Sequence, residues 1–327
     1  MSVNETAVVN ETQSVSSCFD YEVLRIAYIA AFFPISLVSL VGNIFIGLIV
    51  YKTKSLKKPV NYFIANMAMS DLVFPISMFP RDIASLFISD SWLVSGPLGQ
   101  ALCKLASFSI EVSTVVSSQS LVLIAVDRFG TVVFPLRSPL ISLNKCRFFI
   151  LATWIIAMVV KCPILFFFEV LEYPDGLECT PLWSPYFKHY TVAMIAVVFY
   201  VPLILITILY LTIALTIKSQ KTAGKQSVSR REQRLKRAKI VGKTSIAIVS
   251  AFTMGWLPLS IWWFVYFYSS DKTVIWSCGF HYFTEIVRFF MYSYCAINPC
   301  ICFICIEHYR QGLKNLLSCF STAPRAP

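Results

Sequence analysis

Apolar residues along this chain come in long unbroken runs, neither alternating nor confined to one stripe. Seven stretches, near 24 to 51, 60 to 88, 101 to 126, 147 to 168, 190 to 217, 240 to 268 and 279 to 306, are predominantly apolar. A helix needs about 20 such residues to cross a bilayer core of about 30 Å. Each run is too long and too continuous for the alternating ten-residue strands of a membrane barrel. The pattern predicts an all-α membrane protein, a bundle of seven transmembrane helices over 24–306. A polar tail precedes it at 1–23, and 307–327 follows it, with an amphipathic stretch from Phe303 to Leu317. An odd number of crossings places the two termini on opposite sides.

Composition agrees with lipid as the solvent. The 327 residues are 57% hydrophobic and only 14% charged, with a mean hydropathy of +0.69, whereas soluble domains carry about 25% charged residues. Charge sets the orientation, because Lys and Arg gather in short cytoplasmic loops. Lys52, Lys54, Lys57 and Lys58 follow the first run, and Arg128, Arg137, Lys145 and Arg147 flank the loop after the third. A block from Lys218 to Lys243 follows the fifth, and Arg310, Lys314 and Arg325 follow the seventh. That face is cytoplasmic and the amino terminus is outside, as expected of a multi-pass protein of the plasma membrane. The net charge of +11 thus reports topology, and membrane lipid, not nucleic acid, is the expected neighbour.

The outer face is acidic, with Asp82, Glu169, Glu172, Asp175, Glu178 and Asp271 in its loops and Glu111 and Glu285 nearer the bundle mouth. Such a vestibule favours a cationic ligand, although acids are also what remains once Lys and Arg are drawn inside. Asn4 and Asn10 each begin an Asn-x-Thr sequon in the outer tail and are candidate glycosylation sites. No charged segment with a short apolar core precedes them, so the first span is expected to act as the targeting signal. Four cysteines, Cys18, Cys103, Cys179 and Cys278, lie in oxidising space. Cys103 heads the third span and Cys179 sits in the loop after the fourth, so a bridge between them would pin that loop over the bundle mouth. Cys18 and Cys278 would then join the tail to the last outer loop. Cys319, after the amphipathic stretch, is either a palmitoylation site or a plain thiol.

Each run also carries its own landmark. In order these are Gly42-Asn43, then Asn66 with Asp71, Asp127-Arg128-Phe129 followed by Pro135-Leu136-Arg137, Trp154, Pro202 with Tyr210, Phe252-Thr253-Met254-Gly255-Trp256-Leu257-Pro258, and Asn298-Pro299. The set resembles the rhodopsin-like (class A) G-protein-coupled receptors over residues 24 to 320. Asp71 is the one acid at mid-depth, where ionisable groups are costly and functional, and helix-interior prolines at 202, 258 and 299 each remove a backbone hydrogen bond. Kinked helices around a buried carboxylate can hold two packings of similar energy.

The resemblance implies an activation switch of Asp127, Arg128, Tyr210, Phe252, Trp256, Pro258, Asn298 and Pro299, with Arg128 paired to Asp127 at rest and released toward a heterotrimeric G protein. It implies a sodium ion at Asp71 and Ser117; no other cofactor or metal is expected. Departures qualify these roles. Gly255 stands where the family often has Cys, Cys302 replaces the usual tyrosine three residues beyond Pro299, and Ala238 replaces an acid facing the arginine. Tyr294 and Cys295 replace the common Asn and Ser before Asn298, which thins the sodium cage. Together they imply an altered basal bias, toward constitutive activity.

The amine receptors of this family carry an Asp where this chain has Ile110, and visual pigments carry a lysine where it has Tyr292, so neither ligand is favoured. What remains is an aromatic cavity dotted with both charge signs: Arg81, Glu111, Lys161, Trp256, Trp263, Glu285, Arg288 and Tyr292. Such a lining suits a peptide, and Asn61-Tyr62-Phe63 with Met78-Phe79-Pro80 resembles neuropeptide receptors. The charges admit a second reading as internal pairs, Glu111 with Lys161 and Glu285 with Arg288. An extracellular cationic neuropeptide is the expected ligand, an amine or lipid the alternative. An enzyme is not expected, since His189, His281 and His308 form no metal-spaced pair and adjoin no nucleophile motif. A transporter is disfavoured by the odd span count and the lack of similar halves.

Overall fold

A computed structural model describes residues 21–85, 92–134, 140–173, 176–222, 228–271 and 273–321. Asn4, Asn10, Cys18, the Pro135-Leu136-Arg137 turn and the side chains of Asp82, Ala238 and Cys319 lie outside the described residues. The helices are α1 (Tyr21–Lys52), α2 (Pro59–Asp71), α3 (Val73–Ser85), α4 (Gly96–Val133), α5 (Leu143–Lys161), α6 (Ile164–Phe167), α7 (Pro185–Ile195), α8 (Val201–Thr222), α9 (Val228–Tyr268), α10 (Thr273–Trp276), α11 (Cys278–Cys305) and α12 (Glu307–Ser321). Seven helical stretches are long and apolar enough to span: Ile26–Lys52, Pro59–Arg81, Gly96–Val133, Leu143–Phe167, Pro185–Ser219, Ala247–Tyr268 and Cys278–Cys305.

Each expected run thus has its helix, with ends that move for local reasons. The third extends outward to Gly96, whose φ of 68° is comfortable only for glycine and turns the chain into the helix. The sixth begins at Val228, so much of the basic block is helical and continuous with the span. The amphipathic stretch is a separate helix, because the chain leaves the helical region at Ile306 before α12 starts. Between the fourth and fifth spans lies a hairpin absent from the hydropathy pattern, β1 (Phe168–Tyr173) antiparallel to β2 (Gly176–Pro181), with Val170 opposite Cys179.

Polarity is arranged inside out. Large apolar side chains such as Phe148, Leu151, Ile204 and Ile208 face outward, while Asn43, Asn66, Asp71, Ser117, Ser120 and Asn298 are buried. Lipid offers no hydrophobic drive for helix association, so packing and interhelical hydrogen bonds hold such a bundle. Gly42 shows the packing: a Cβ there would sit 2.7 Å from the Pro299 ring, so only glycine lets α1 approach α11 so closely. The prolines show the bonding. Pro202 cannot donate to the carbonyl of Val198, and Ser118 Oγ donates to it at 2.7 Å. Pro299 likewise leaves the carbonyl of Cys295 without its helical donor, and Asn43 Nδ2 fills in at 3.0 Å. Both of these freed carbonyls are therefore met from a partner helix, as freed backbone groups in lipid must be.

Candidate functional site

The mid-membrane core is built by α2, α4, α5 and α11. Asn66 accepts from Trp154 Nε1 at 2.9 Å and donates to Ser120 Oγ at 2.9 Å, which draws two landmarks and a serine of α4 into one knot. One turn further out Asp71, 1% exposed, accepts from Ser117 Oγ and, at 2.8 Å, from Asn298 Nδ2. A cavity of about 20 Å³, bounded by Asp71, Ser113, Trp256, Met291, Tyr294 and Cys295, adjoins it, enough for a water-sized particle. Tyr294 Oη reaches toward Ser117 and Asn298 without a regular hydrogen bond, and Asn298 Oδ1 is buried without a donor. The carboxylate, the Ser117 hydroxyl and this idle Asn298 oxygen are the hard oxygen donors a sodium ion takes, so the residues fit that ion.

Trp256 links this core to the cavity above. It contacts Phe252, 6.3 Å away between ring centroids, which in turn meets Phe199 at 5.5 Å and Tyr294 at 6.2 Å. Pro258 lies within α9 just beyond, and Tyr210 packs against the same cluster. A Cβ at Gly255 would lie 2.9 Å from Tyr294 Cβ. Glycine replaces the bulkier family residue here because a tyrosine occupies the facing position.

At the outer mouth the Cys103–Cys179 disulfide closes a sequence separation of 76 and ties β2 to the head of α4. Gln100 Oε1 accepts from Val170 N at 2.8 Å, fastening β1 to the same helix. Cys278 is also disulfide-bonded; Cys18, its expected partner, lies outside the described residues. Glu111 and Lys161 meet at 2.5 Å, the lysine side chain 5% exposed and the glutamate 38%. Lys161 Nζ also lies 5.8 Å above the Tyr190 ring. Glu285 and Arg288 meet more loosely, 3.6 Å apart, one turn apart and both partly exposed. Glu178 is exposed on β2, yet desolvation by the surrounding protein raises its carboxyl above the ordinary glutamate range, and the positive charge of Arg81 pulls it back.

The aromatic wall is formed mainly by Trp263, Trp183, Tyr266 and Phe187. Trp183 and Tyr266 are 4.6 Å apart, and Trp263 sits 5.9 Å from Phe187. Tyr292 stands apart from it: 2% exposed, it meets Phe32 and Phe74 edge-on at 4.9 and 5.0 Å, deep between helices. The sequence reading did not single out Glu178, Trp183 or Phe187 as ligand contacts. Their signal was proximity to Cys179, which any bridge to Cys103 carries to the mouth.

At the inner end Asp127 and Arg128 make no ion pair with each other or another described residue. The Arg128 charge instead acts on Tyr309 of α12, whose phenol burial pushes well above its usual range.

Residues 42–301 match the family described as "7 transmembrane receptor (rhodopsin family)". The chain belongs to this family. It is therefore a class A G-protein-coupled receptor, a multi-pass protein of the plasma membrane. It is 28% identical to the RYamide receptor of Drosophila melanogaster over 322 residues, 92% of this chain and 67% of that one. It is 28% identical to neuropeptide FF receptor 1 of Rattus norvegicus over 306 residues, 88% and 69% of the two chains. Bombesin receptor subtype-3 of Ovis aries is 27% identical over 296 residues, covering 86% and 72%.

Proposed function

We propose that this receptor binds an extracellular peptide carrying at least one positive charge and thereby activates a heterotrimeric G protein. The observation that carries the reading is the outer mouth, where a disulfide-strapped hairpin carries Glu178, Trp183 and Tyr266 meet in an aromatic wall, and Glu285 lies partly open on α11. A peptide supplies both a cation for such acids and apolar side chains for such a wall. The names of the relatives, receptors for RYamide, neuropeptide FF and bombesin, support a peptide.

In this reading ligand pressure on the wall and on Trp256 turns the outer half of α9 about Pro258. Phe252 then repacks against Phe199 and Tyr294, and the change reaches Arg128 at the cytosolic end. Asp71, Ser117 and Asn298 would hold a sodium ion, whose charge would offset that of the carboxylate and restrain the motion. Nucleotide exchange on a G-protein panel tests the reading, with the receptor in lipid discs and peptides, amines and lipids as candidate agonists. A cationic peptide is expected to accelerate exchange. Acceleration by an amine or a neutral lipid alone would refute it.

A further inference from the structure

The outer half of α9 is a short arm on a weakened joint. Pro258 lies inside the helix and removes one backbone hydrogen bond there. The helix ends at Tyr268, which leaves an arm of about 15 Å beyond the proline. Two polar contacts hold that arm to its neighbours. Partway along it, Trp262 Nε1 donates to Thr284 Oγ1 of α11 at 2.8 Å, and its ring stacks on those of Tyr266 and Phe280, 5.2 and 5.7 Å away. At the tip, Lys188 Nζ of α7 donates to the carbonyl of Phe267 at 3.1 Å and lies 3.9 Å from the centre of the Tyr268 ring. The last four carbonyls of a helix find no partner within it, so a lysine from a neighbouring helix caps this end, where the helix dipole also favours a positive charge.

Both contacts touch the aromatic wall. Tyr266, which stacks on Trp262, also meets Trp183, and the Phe267 ring stacks on Trp263 at 5.1 Å. Pressure on the wall therefore loads both contacts. Trp262 stands about 6 Å beyond Pro258 along the helix, so a turn of about 10° away from α11 would move it by about 1 Å and take its 2.8 Å bond out of hydrogen-bond range. We propose that Trp262 and Lys188 are positioning residues of the switch: they clasp the arm to α11 and α7, and their release sets how readily α9 turns about Pro258. The link to a ligand rests on the reading above, in which pressure on the wall drives that turn; the clasps rest on their own geometry.

Amide hydrogen exchange on the full receptor in lipid discs tests this without a ligand or a G protein. Trp262→Phe keeps an aromatic ring for the stack and removes the N–H donor. It is expected to speed exchange over 259–268 about fivefold, the factor of one ordinary hydrogen bond, and to alter exchange across Pro258, over 247–257. In a Thr284→Val background, where the acceptor is already gone, the same change should do nothing further. Lys188→Met keeps the stem and should act like Trp262→Phe, whereas Lys188→Arg keeps the charge and should exchange like the unmodified receptor. Unchanged exchange in Trp262→Phe, or an equal effect in both backgrounds, would overturn the Trp262 clasp. Equal acceleration by Lys188→Arg and Lys188→Met would overturn the Lys188 clasp. Acceleration confined to 259–268 would make both residues local struts and overturn their place in the switch. Basal nucleotide exchange should rise with the release of either clasp; absence of any coupling in the unmodified receptor would count against the function proposed above and leave the amide-exchange outcomes to decide the clasps.

Discussion

The outer mouth and the mid-membrane core both hold acids but settle them differently, partly open at the mouth and fully buried at Asp71. At the mouth two acids meet bases: Glu111 with Lys161 at 2.5 Å and Glu285 with Arg288 at 3.6 Å. In the core Asp71 has only neutral donors among the described residues, Ser117 and Asn298. A paired charge is bound to its place, because removing one partner strands the other. A lone carboxylate held by neutral groups can exchange them for water or a cation at little cost. The first arrangement fixes its charges in place and the second leaves a carboxylate among neutral donors, so the same Glu-to-Gln or Asp-to-Asn change should read out differently in the two regions.

The largest effect belongs to Glu111→Gln. Lys161 would stay buried without its partner, at a cost of about 3 kcal/mol for a broken buried pair, seen as lower thermal stability and surface expression. Lys161→Met should cost less, because Glu111 keeps access to solvent, and the double variant should regain most of the loss. Equal stability for all three would mean that Glu111 is a ligand contact and not a charge fixed in place. Next comes Asp71→Asn. It should leave expression near normal and shift the balance of states at least tenfold, the weight of one hydrogen bond to a charged group, with sodium sensitivity lost. Unaltered basal signalling, agonist response and sodium response together would contradict a switch role.

Glu285→Gln separates the regions more finely. Its pair with Arg288 is partly exposed, so stability should change by less than about 1 kcal/mol. Potency of a cationic agonist should nevertheless fall if Glu285 meets the ligand; a loss of folding with no loss of potency would make it a charge fixed in place. The smallest effect concerns Glu178. Desolvation by the protein around it, which outweighs the opposing pull of Arg81, raises its carboxyl above the usual 4.5. A raised carboxyl favours the folded loop when protonated, and that contribution is lost as pH rises through the raised value. The ionised form that attracts a cation appears over the same interval. Potency of a cationic peptide should therefore climb with pH there, and Glu178→Gln should flatten the climb.

Much of this was readable in the sequence because it follows from solvent. Lipid demands long apolar runs and inward polar groups, so the seven spans, the orientation and the mid-depth place of Asp71 follow from hydropathy and charge, while Asn43, Asn66 and Asn298 stood out through the family resemblance. The Cys103–Cys179 bridge followed from compartment. What escaped was geometry between elements. The hairpin at 168–181 has too little hydropathy contrast to announce itself, and it carries Glu178 to the mouth. Tyr292 looked like a cavity residue by its place in the run, yet the ring turns toward Phe32 and Phe74. Whether Glu111 and Lys161 pair or bind was open, because reach across helices is not written in spacing along one of them. Likewise the Gly255 and Tyr294 departures look unrelated until their contact at the α9–α11 seam makes each the reason for the other.

The charge of the ligand decides whether the outer mouth reads a cation. The decisive measurement is G-protein nucleotide exchange driven by a matched pair of agonist peptides, identical except that each Arg is replaced by its neutral isostere citrulline. Loss of a desolvated charge contact costs about 2 to 5 kcal/mol, so the neutral peptide is predicted to be at least tenfold less potent, and less so on Glu178→Gln. Equal potency for the two peptides on the unmodified receptor would contradict a cation-reading mouth.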